Sequence, residues 1–262
     1  MYDSTNSREA FVTTLITDDY LPGVLVLNRT ILETCRHRLF VLATRSLSDA
    51  SYDTLRRNGI PFDLADDVLV DTSVLIKINP IYSHWAYTFF KLRIFELTQF
   101  NKIVSIDCDV MVLESIDDLF ECPDMSAAIA GASYPGNENW RDLGSGVLVI
   151  EPRISVVEQL INIVPKIAAE KQNFGDQDVL IAYFPNWPDD ERLHLPEAYN
   201  VFFDHYSFYL RRGAVKVLHF IGKKKPWMMS RLDILFQLFK CVLKNNINGI
   251  KIFLRYLRYL KK

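Results

Sequence analysis

The sequence predicts an α/β fold, a mostly parallel sheet flanked by helices. Two observations carry that expectation. Short apolar or β-branched runs alternate with segments of helical period, the order of a doubly wound sheet. The composition is globular: 262 residues, 49% hydrophobic and 24% charged, enough chain for one large core.

The elements follow in order. Residues 11–16 are short, apolar and β-branched, which favours a strand. Pro22 then opens a run with Val24, Leu27, Ile31 and Leu32 at helical spacing. Residues 39–43 are continuous apolar sequence and are expected to form a buried strand. A helix is expected over residues 49–57, closed by Asn58 and Gly59. Between Tyr82 and Thr98, the side chains Trp85, Phe89, Leu92, Phe95 and Glu96 recur at helical spacing, so a further helix is expected. Residues 102–106 form another strand that runs directly into Asp107. Ligands of such sheets bind beyond the carboxyl ends of the strands, so Asp107 falls where chemistry is expected.

The net charge of −2 leaves no whole-protein basic footprint for nucleic acid. Charge is nevertheless unevenly spread. Residues 231–262 hold eight Lys/Arg against Asp233 alone, a balance of +7, while the remainder carries 22 basic and 31 acidic residues, or −9. An acidic main domain, residues 10–229, and a basic tail, residues 230–262, are therefore expected. The first ten residues are polar, with no secretory signal. No apolar run reaches the roughly 18 residues of a membrane span. Cys35, Cys108, Cys122 and Cys241 are scattered with no CxxC pair, which argues against zinc ribbons and thioredoxin chemistry. Reduced thiols in a cytoplasmic compartment fit that pattern, and the Cys108 thiol reads as a small buried side chain.

Two Asp-x-Asp triplets occur, at 107–109 and 176–178. With 21 Asp in the chain, about one or two such triplets arise by chance. Context separates them. Only the first follows an apolar strand, so its carboxylates leave a rigid sheet edge side by side. Adjacent carboxylates repel unless a cation neutralises them. Oxygen donors at this density suit Mn²⁺ or Mg²⁺, which can also clamp a diphosphate. A second segment, residues 217–227, begins as a strand ending in His219 and continues through Gly222, Lys223, Lys224, Lys225, Pro226 and Trp227. Such a loop can offer an imidazole to a metal and an ammonium group to phosphate oxygens.

Together the two segments resemble glycosyltransferase family 8, the glycogenin and galactinol synthase group. That family pairs a strand-borne DxD with a later HxxGxxKPW, which here runs from His219 to Trp227. Residues 11–14 with Tyr20 look like its opening strand and nucleotide loop. Lys91–Leu92 matches its donor-side lysine, residues 116–120 the stretch after the DxD, residues 144–148 its NSGV, and residues 175–177 its GDQ. The resemblance covers residues 10–227. It implies a GT-A fold, a UDP-sugar donor, Mn²⁺, and retention at the anomeric carbon. It also implies that Asp107, Asp109 and His219 ligate the metal. Lys91 would lie near Asp109 and the donor, Gly222 and Lys225 would hold the diphosphate, and Ser145, Asp176 and Gln177 would face the sugar. Tyr20 and the strand carrying Thr14 would border the uracil. Catalysis would fall to Asp176, Gln177 and Lys91. Members of the family often dimerise, so a homodimer is an expectation.

The chain departs from the pattern where Gly144 replaces the asparagine of NSG, and where Asn173 and Phe174 stand near a family aspartate. Those departures keep open an inactive nucleotide-sugar-binding module beside an active hexosyltransferase acting on a hydroxyl acceptor. No carboxylate nucleophile announces itself, so same-face substitution assisted by the departing phosphate is expected, with Asp176 as the alternative nucleophile or stabiliser. A nucleotide-sugar pyrophosphatase would also use a carboxylate-bound metal, but no Glu-rich helix is evident. An NAD enzyme is disfavoured because no GxGxxG follows the first strand. Tyr199, Tyr206 and Tyr209 lie among Phe202, Phe203 and Phe208, and read as a packed cluster more readily than as self-glycosylation acceptors.

In the tail, Asp233, Gln237, Lys240 and Lys244 recur at helical spacing, with Leu235, Leu238, Phe239 and Val242 on the other side. After a break at residues 245–249, Lys251, Arg255, Arg258 and Lys262 form one stripe, and Ile250, Phe253, Leu254, Leu257 and Leu260 another. This is a basic amphipathic helical extension. It either packs back on the domain or contacts a membrane surface peripherally.

Overall fold

The computed structural model describes residues 8–67, 88–171, 174–213, 215–222, 224–243 and 246–261. In chain order the strands are β1 (Glu9–Leu15), β2 (Leu39–Thr44), β3 (Phe62–Ala65), β4 (Lys102–Ile106), β5 (Val110–Val112), β6 (Ala127–Ala128), β7 (Val147–Ile150), β8 (His194–Leu195), β9 (Val201–Phe202) and β10 (Val217–His219). The helices are α1 (Leu21–Thr34), α2 (Asp49–Arg57), α3 (Ile154–Glu170), α4 (Asp176–Tyr183), α5 (Tyr206–Leu210), α6 (Arg231–Leu243) and α7 (Ile247–Tyr259).

A seven-stranded sheet has the order β3-β2-β1-β4-β7-β6-β8, and a three-stranded sheet the order β5-β10-β9. The expected parallel arrangement holds from β3 to β4. Beyond it, β7 runs antiparallel to both neighbours, β4 and β6. Alternate residues of the central strands serve opposite faces, as the pleat requires. Val12, Ile103 and Leu148 pack with Leu160 and Val164 of α3. Their neighbours Phe11, Val104 and Val149 pack with Leu27 and Ile31 of α1 and Leu55 of α2. Each fully buried side chain of this size contributes about 1.5–3 kcal/mol, so both layers anchor β4.

The strand expected at residues 11–16 is displaced and spans Glu9–Leu15. The helix α2 occupies the expected residues. Its start is held by Ser48, whose Oγ accepts from Ser51 N at 3.3 Å. The Asp18 carboxylate in turn accepts from Ser48 N at 3.0 Å and Ser51 Oγ at 2.5 Å. Of the helix expected over residues 82–98, Tyr82 and Trp85 lie outside the described residues. The described part, Thr88–Glu96, is a 3₁₀ helix. Within it Phe89, Phe90, Leu92, Ile94 and Phe95 are all buried, so the segment is enclosed on more than one face.

The tail forms α6 and α7. Ile252, Phe253 and Tyr256 of α7 are buried with Val201 of β9 and Leu218 of β10, while most of the apolar side chains of α6 are exposed. Among the described residues, no helix is long and apolar enough to cross a membrane.

Candidate active site

The strand β4 delivers Asp107 to the carboxyl edge of the large sheet, where Asp107 N donates to Gly146 O at 3.0 Å. Asp109 follows in the turn before β5. The second sheet supplies the rest: β5 and β10 pair antiparallel with Val110 opposite His219. Phe220 N donates to Asp109 O at 2.9 Å. That register sets His219 beside Asp109 although many residues separate them in sequence.

One ligand atom from each of Asp107, Asp109 and His219 lies within 4.8 Å of the others. His219 Nε2 is 3.1 Å from Asp109 Oδ1 and 3.8 Å from Asp107 Oδ2. Its other ring nitrogen, Nδ1, donates to Asn200 Oδ1 at 2.9 Å. That bond leaves Nε2 to face the carboxylates. Two carboxylates and one such imidazole are a donor set that fits Mn²⁺ or Mg²⁺.

Cations surround the acids. Lys225 Nζ donates to Asp109 Oδ2 at 2.6 Å. Lys91 Nζ donates to Asp107 Oδ1 at 2.5 Å and Ser145 O at 2.7 Å, and lies 3.5 Å from Asp176 Oδ2. Burial alone would raise the Asp109 carboxyl, but His219 and Lys225 outweigh it and hold its pKa well below the carboxylate range. Burial works against the His219 imidazolium, yet Asp109 and Asp107 keep its pKa above the ordinary value. For Lys91 the same contest ends the same way: burial is overcome by Asp107 and Asp176, and the ammonium form is strengthened.

The sugar-side residues of the sequence pattern also converge. Ser145 Oγ donates to Asp176 Oδ2 at 3.0 Å, and Ser145 N donates to Gln177 Oε1 at 3.2 Å. Asp176 and Gln177 open α4. The second acidic triplet divides its labour there, because Asp178 Oδ2 accepts from Gly175 N at 2.9 Å and so caps the helix. Thr14 is half-buried near the carboxyl end of β1. The Tyr20 ring meets the Trp227 ring edge-on at 5.7 Å, and Trp227 Nε1 donates to Asp19 O at 2.7 Å. Gly222 turns the loop after His219 at φ +113°, a conformation disfavoured for residues with a Cβ.

Asn200 carries a role that the sequence did not announce. It is 1% exposed, and a Cβ added at Gly146 would lie 3.1 Å from its Nδ2 and 2.6 Å from His219 Cε1. Glycine is therefore required at 146 by close approach. A Cβ at Gly144, where the family pattern has asparagine, would lie 3.0 Å from Ala128 O and 3.1 Å from Asn200 Nδ2. Asn173 lies outside the described residues, and Phe174 is buried against Phe89 at 5.5 Å. Tyr199, Tyr206 and Tyr209 are buried in the core clusters. Tyr199 donates to Asp118, and Tyr209 to Glu197. Cys108 is only partly buried, against the cluster beneath β4.

A model of the family described as glycosyl transferase family 8 matches residues 11–230. Glycogenin-1 of Homo sapiens is 35% identical over 232 residues, covering 84% of this chain and 62% of that protein. Inositol phosphorylceramide glucuronosyltransferase 1 of Arabidopsis thaliana is 29% identical over 189 residues, covering 72% of this chain and 32% of that one. The chain thus spans less than two-thirds of the length of these relatives. A crystal structure of the galactosyltransferase LgtC with donor and acceptor sugar analogs matches with a TM-score of 0.63 and 15% identity, covering 96% of this chain and 95% of that chain. At that identity the likeness concerns the fold.

Proposed function

The chain belongs to glycosyl transferase family 8, and from that premise we propose that it is a retaining hexosyltransferase, moving a hexose from a UDP-sugar to a hydroxyl acceptor with Mn²⁺ or Mg²⁺. The observation that carries the reading is the convergence of Asp107, Asp109 and His219 with Lys91 and Lys225 at the carboxyl edge of the GT-A sheet.

Asp107, Asp109 and His219 would hold the cation. When bound, it supplies positive charge to a departing diphosphate. Lys225 stands beside Asp109, and its ammonium group is available to oxygens that gain charge as the sugar–phosphate bond breaks. Lys91 fixes Asp107 and the Ser145 carbonyl, and so joins the metal side to the sugar side. Ser145, Asp176 and Gln177 form one hydrogen-bonded group that can orient a hexose, and fixed orientation supplies much of the rate. Tyr20 and the end of β1 carrying Thr14 border the base. Acceptor attack on the face that the diphosphate leaves gives retention; Asp176 is the carboxylate placed to steady positive charge on the sugar. The scattered cysteines Cys35, Cys108, Cys122 and Cys241 fit a reducing, cytoplasmic compartment.

The test is a panel of UDP-sugars incubated with the protein, with and without Mn²⁺, reading released UDP against UMP. UDP release from one donor, lost in Asp109→Asn, is the expected result. UMP release identifies a pyrophosphatase and overturns the proposal. Neither metal-dependent UDP binding nor release, in a folded protein, refutes the site as well.

A further inference from the structure

The helix α6 leaves a continuous apolar face in solvent. Leu232 is 76% exposed, Phe236 69% and Leu243 70%, and Leu235, Phe239 and Val242 stand with them. Of the 13 large hydrophobic residues exposed among the described residues, seven lie between Leu232 and Ile247. At 3.6 residues per turn the six on α6 fall within an arc of about 120°. Arg231 lies beyond one margin of that arc and Lys240 beyond the other. The opposite side of the helix carries the buried Cys241 and the partly buried Ile234 and Leu238. The helix is therefore already seated on the domain, and its outward face is surplus to that packing.

We propose that this face is a docking surface for an anionic lipid membrane, on which α6 lies in the interface plane. Charge selects this occupant over a second copy of the chain. Residues 231–262 carry eight Lys/Arg and one acid, and that acid, Asp233, is occupied by Lys224 Nζ at 2.5 Å and Ser230 N at 2.8 Å. Two copies apposed through this face would bring two strongly positive segments together. An anionic surface attracts the same charges. Lys251, Arg258 and Lys261 of the neighbouring α7 and its end are exposed, and long basic side chains reach headgroups while apolar neighbours enter the acyl boundary.

Another flank of the helix, outside this apolar face, adjoins the loop that follows His219. A cavity of about 160 Å³ between them is lined by Ile221 and Lys224 of the loop and by Gln237 and Lys240 of α6. Ile221, two residues beyond His219, is itself 51% exposed. The docking claim stands on the exposed face and the charge, independently of the transfer reaction.

The test is co-sedimentation of the full chain with vesicles of phosphatidylcholine alone and of phosphatidylcholine with about 30% phosphatidylserine. The comparison variant is Phe236→Ser/Phe239→Ser, which alters exposed side chains only and keeps the charge. Binding to the anionic vesicles, at least about tenfold weaker without phosphatidylserine and at least about tenfold weaker in the variant, is expected. UDP release by the variant without lipid should match the parent, which separates failure of docking from failure of the transfer reading. Absent binding by the parent, or equal binding by parent and variant, overturns the proposal. So does a lipid-free dimer, seen by sedimentation velocity, that the double substitution dissociates, because the face then belongs to a second copy.

Discussion

Replacing Asn200 by alanine should weaken Mn²⁺ binding about 10–100-fold, the usual cost of losing a hydrogen-bond partner behind a ligating histidine. The His219 imidazole is buried, 7% exposed. Its Nδ1–H donates to Asn200 Oδ1 at 2.9 Å, while Nε2 faces Asp109 at 3.1 Å. Without the amide, the ring has two choices. It keeps the Nδ1 proton unpaired, at about 1–3 kcal/mol, or it moves the proton to Nε2 and removes the lone pair that a metal needs. At about 1.4 kcal/mol per factor of ten, the first route alone accounts for roughly one to two decades. The assay is Mn²⁺ titration followed by the electron paramagnetic resonance of the free ion, which reads binding without turnover. Asn200→Asp keeps an acceptor oxygen and should recover most of the affinity. If Asn200→Ala binds Mn²⁺ within about twofold of the parent while Asp109→Asn does not bind, the orienting role is refuted.

Lys91→Met should cost about 3–5 kcal/mol in urea denaturation, because it leaves Asp107 and Asp176 without their shared cation; a loss below about 1 kcal/mol would show that solvent satisfies them. Asp117 gives a pH prediction away from the site. Burial opposes its ionised form, but donation from Arg36 N, His37 and Ser115 lowers its pKa from 3.8 to about 2. A carboxyl depressed on folding contributes stability above its unfolded pKa and loses it as pH falls through the folded one. The stability gap between the parent and Asp117→Asn should therefore narrow by about 2 kcal/mol between about pH 4 and pH 2. A gap constant across that window would contradict the assignment.

The parts of the fold that sequence makes legible are those with a local cause. Residues 102–106 read as a strand because they are apolar with a β-branched pair, and Asp107 follows at once. The helix α2 reads correctly because Asn58 and Gly59 close it. The direction of β7 is not legible. Val147–Ile150 is apolar on both faces, and such a run looks the same whichever way its hydrogen bonds point. The 3₁₀ segment at Thr88–Glu96 was open to two readings, since a spacing of three fits both helices.

The site divides along the same line. The DxD and the histidine loop are contiguous motifs and can be found by spacing. Asn200 meets His219 only because β9 and β10 pair, with Phe202 opposite His219, and a single asparagine gives no periodic signal. Gly146 offered the best clue, as a glycine next to a motif serine, where an added Cβ would meet the His219 ring. In the tail, charge pattern posed packing and membrane contact as alternatives. The structure divides the apolar residues instead, burying those of α7 and exposing most of those of α6.

The contacts that complete the site are also its most distant in sequence. Lys225 reaches Asp109 across 116 residues, and Trp227 reaches Asp19 across 208. A chain emerging from the ribosome at about 5–20 residues per second displays Asp109 for roughly 6–23 s before Lys225, its ammonium partner, has been made. Through most of that interval Asp109 has neither His219 nor Lys225, whereas Lys91, the partner of Asp107, has already been made. A chain that stops before His219 therefore lacks the imidazole that the proposed function gives to the metal. Under the proposed function, Mn²⁺ affinity would for the same reason report whether distant parts of the chain have met.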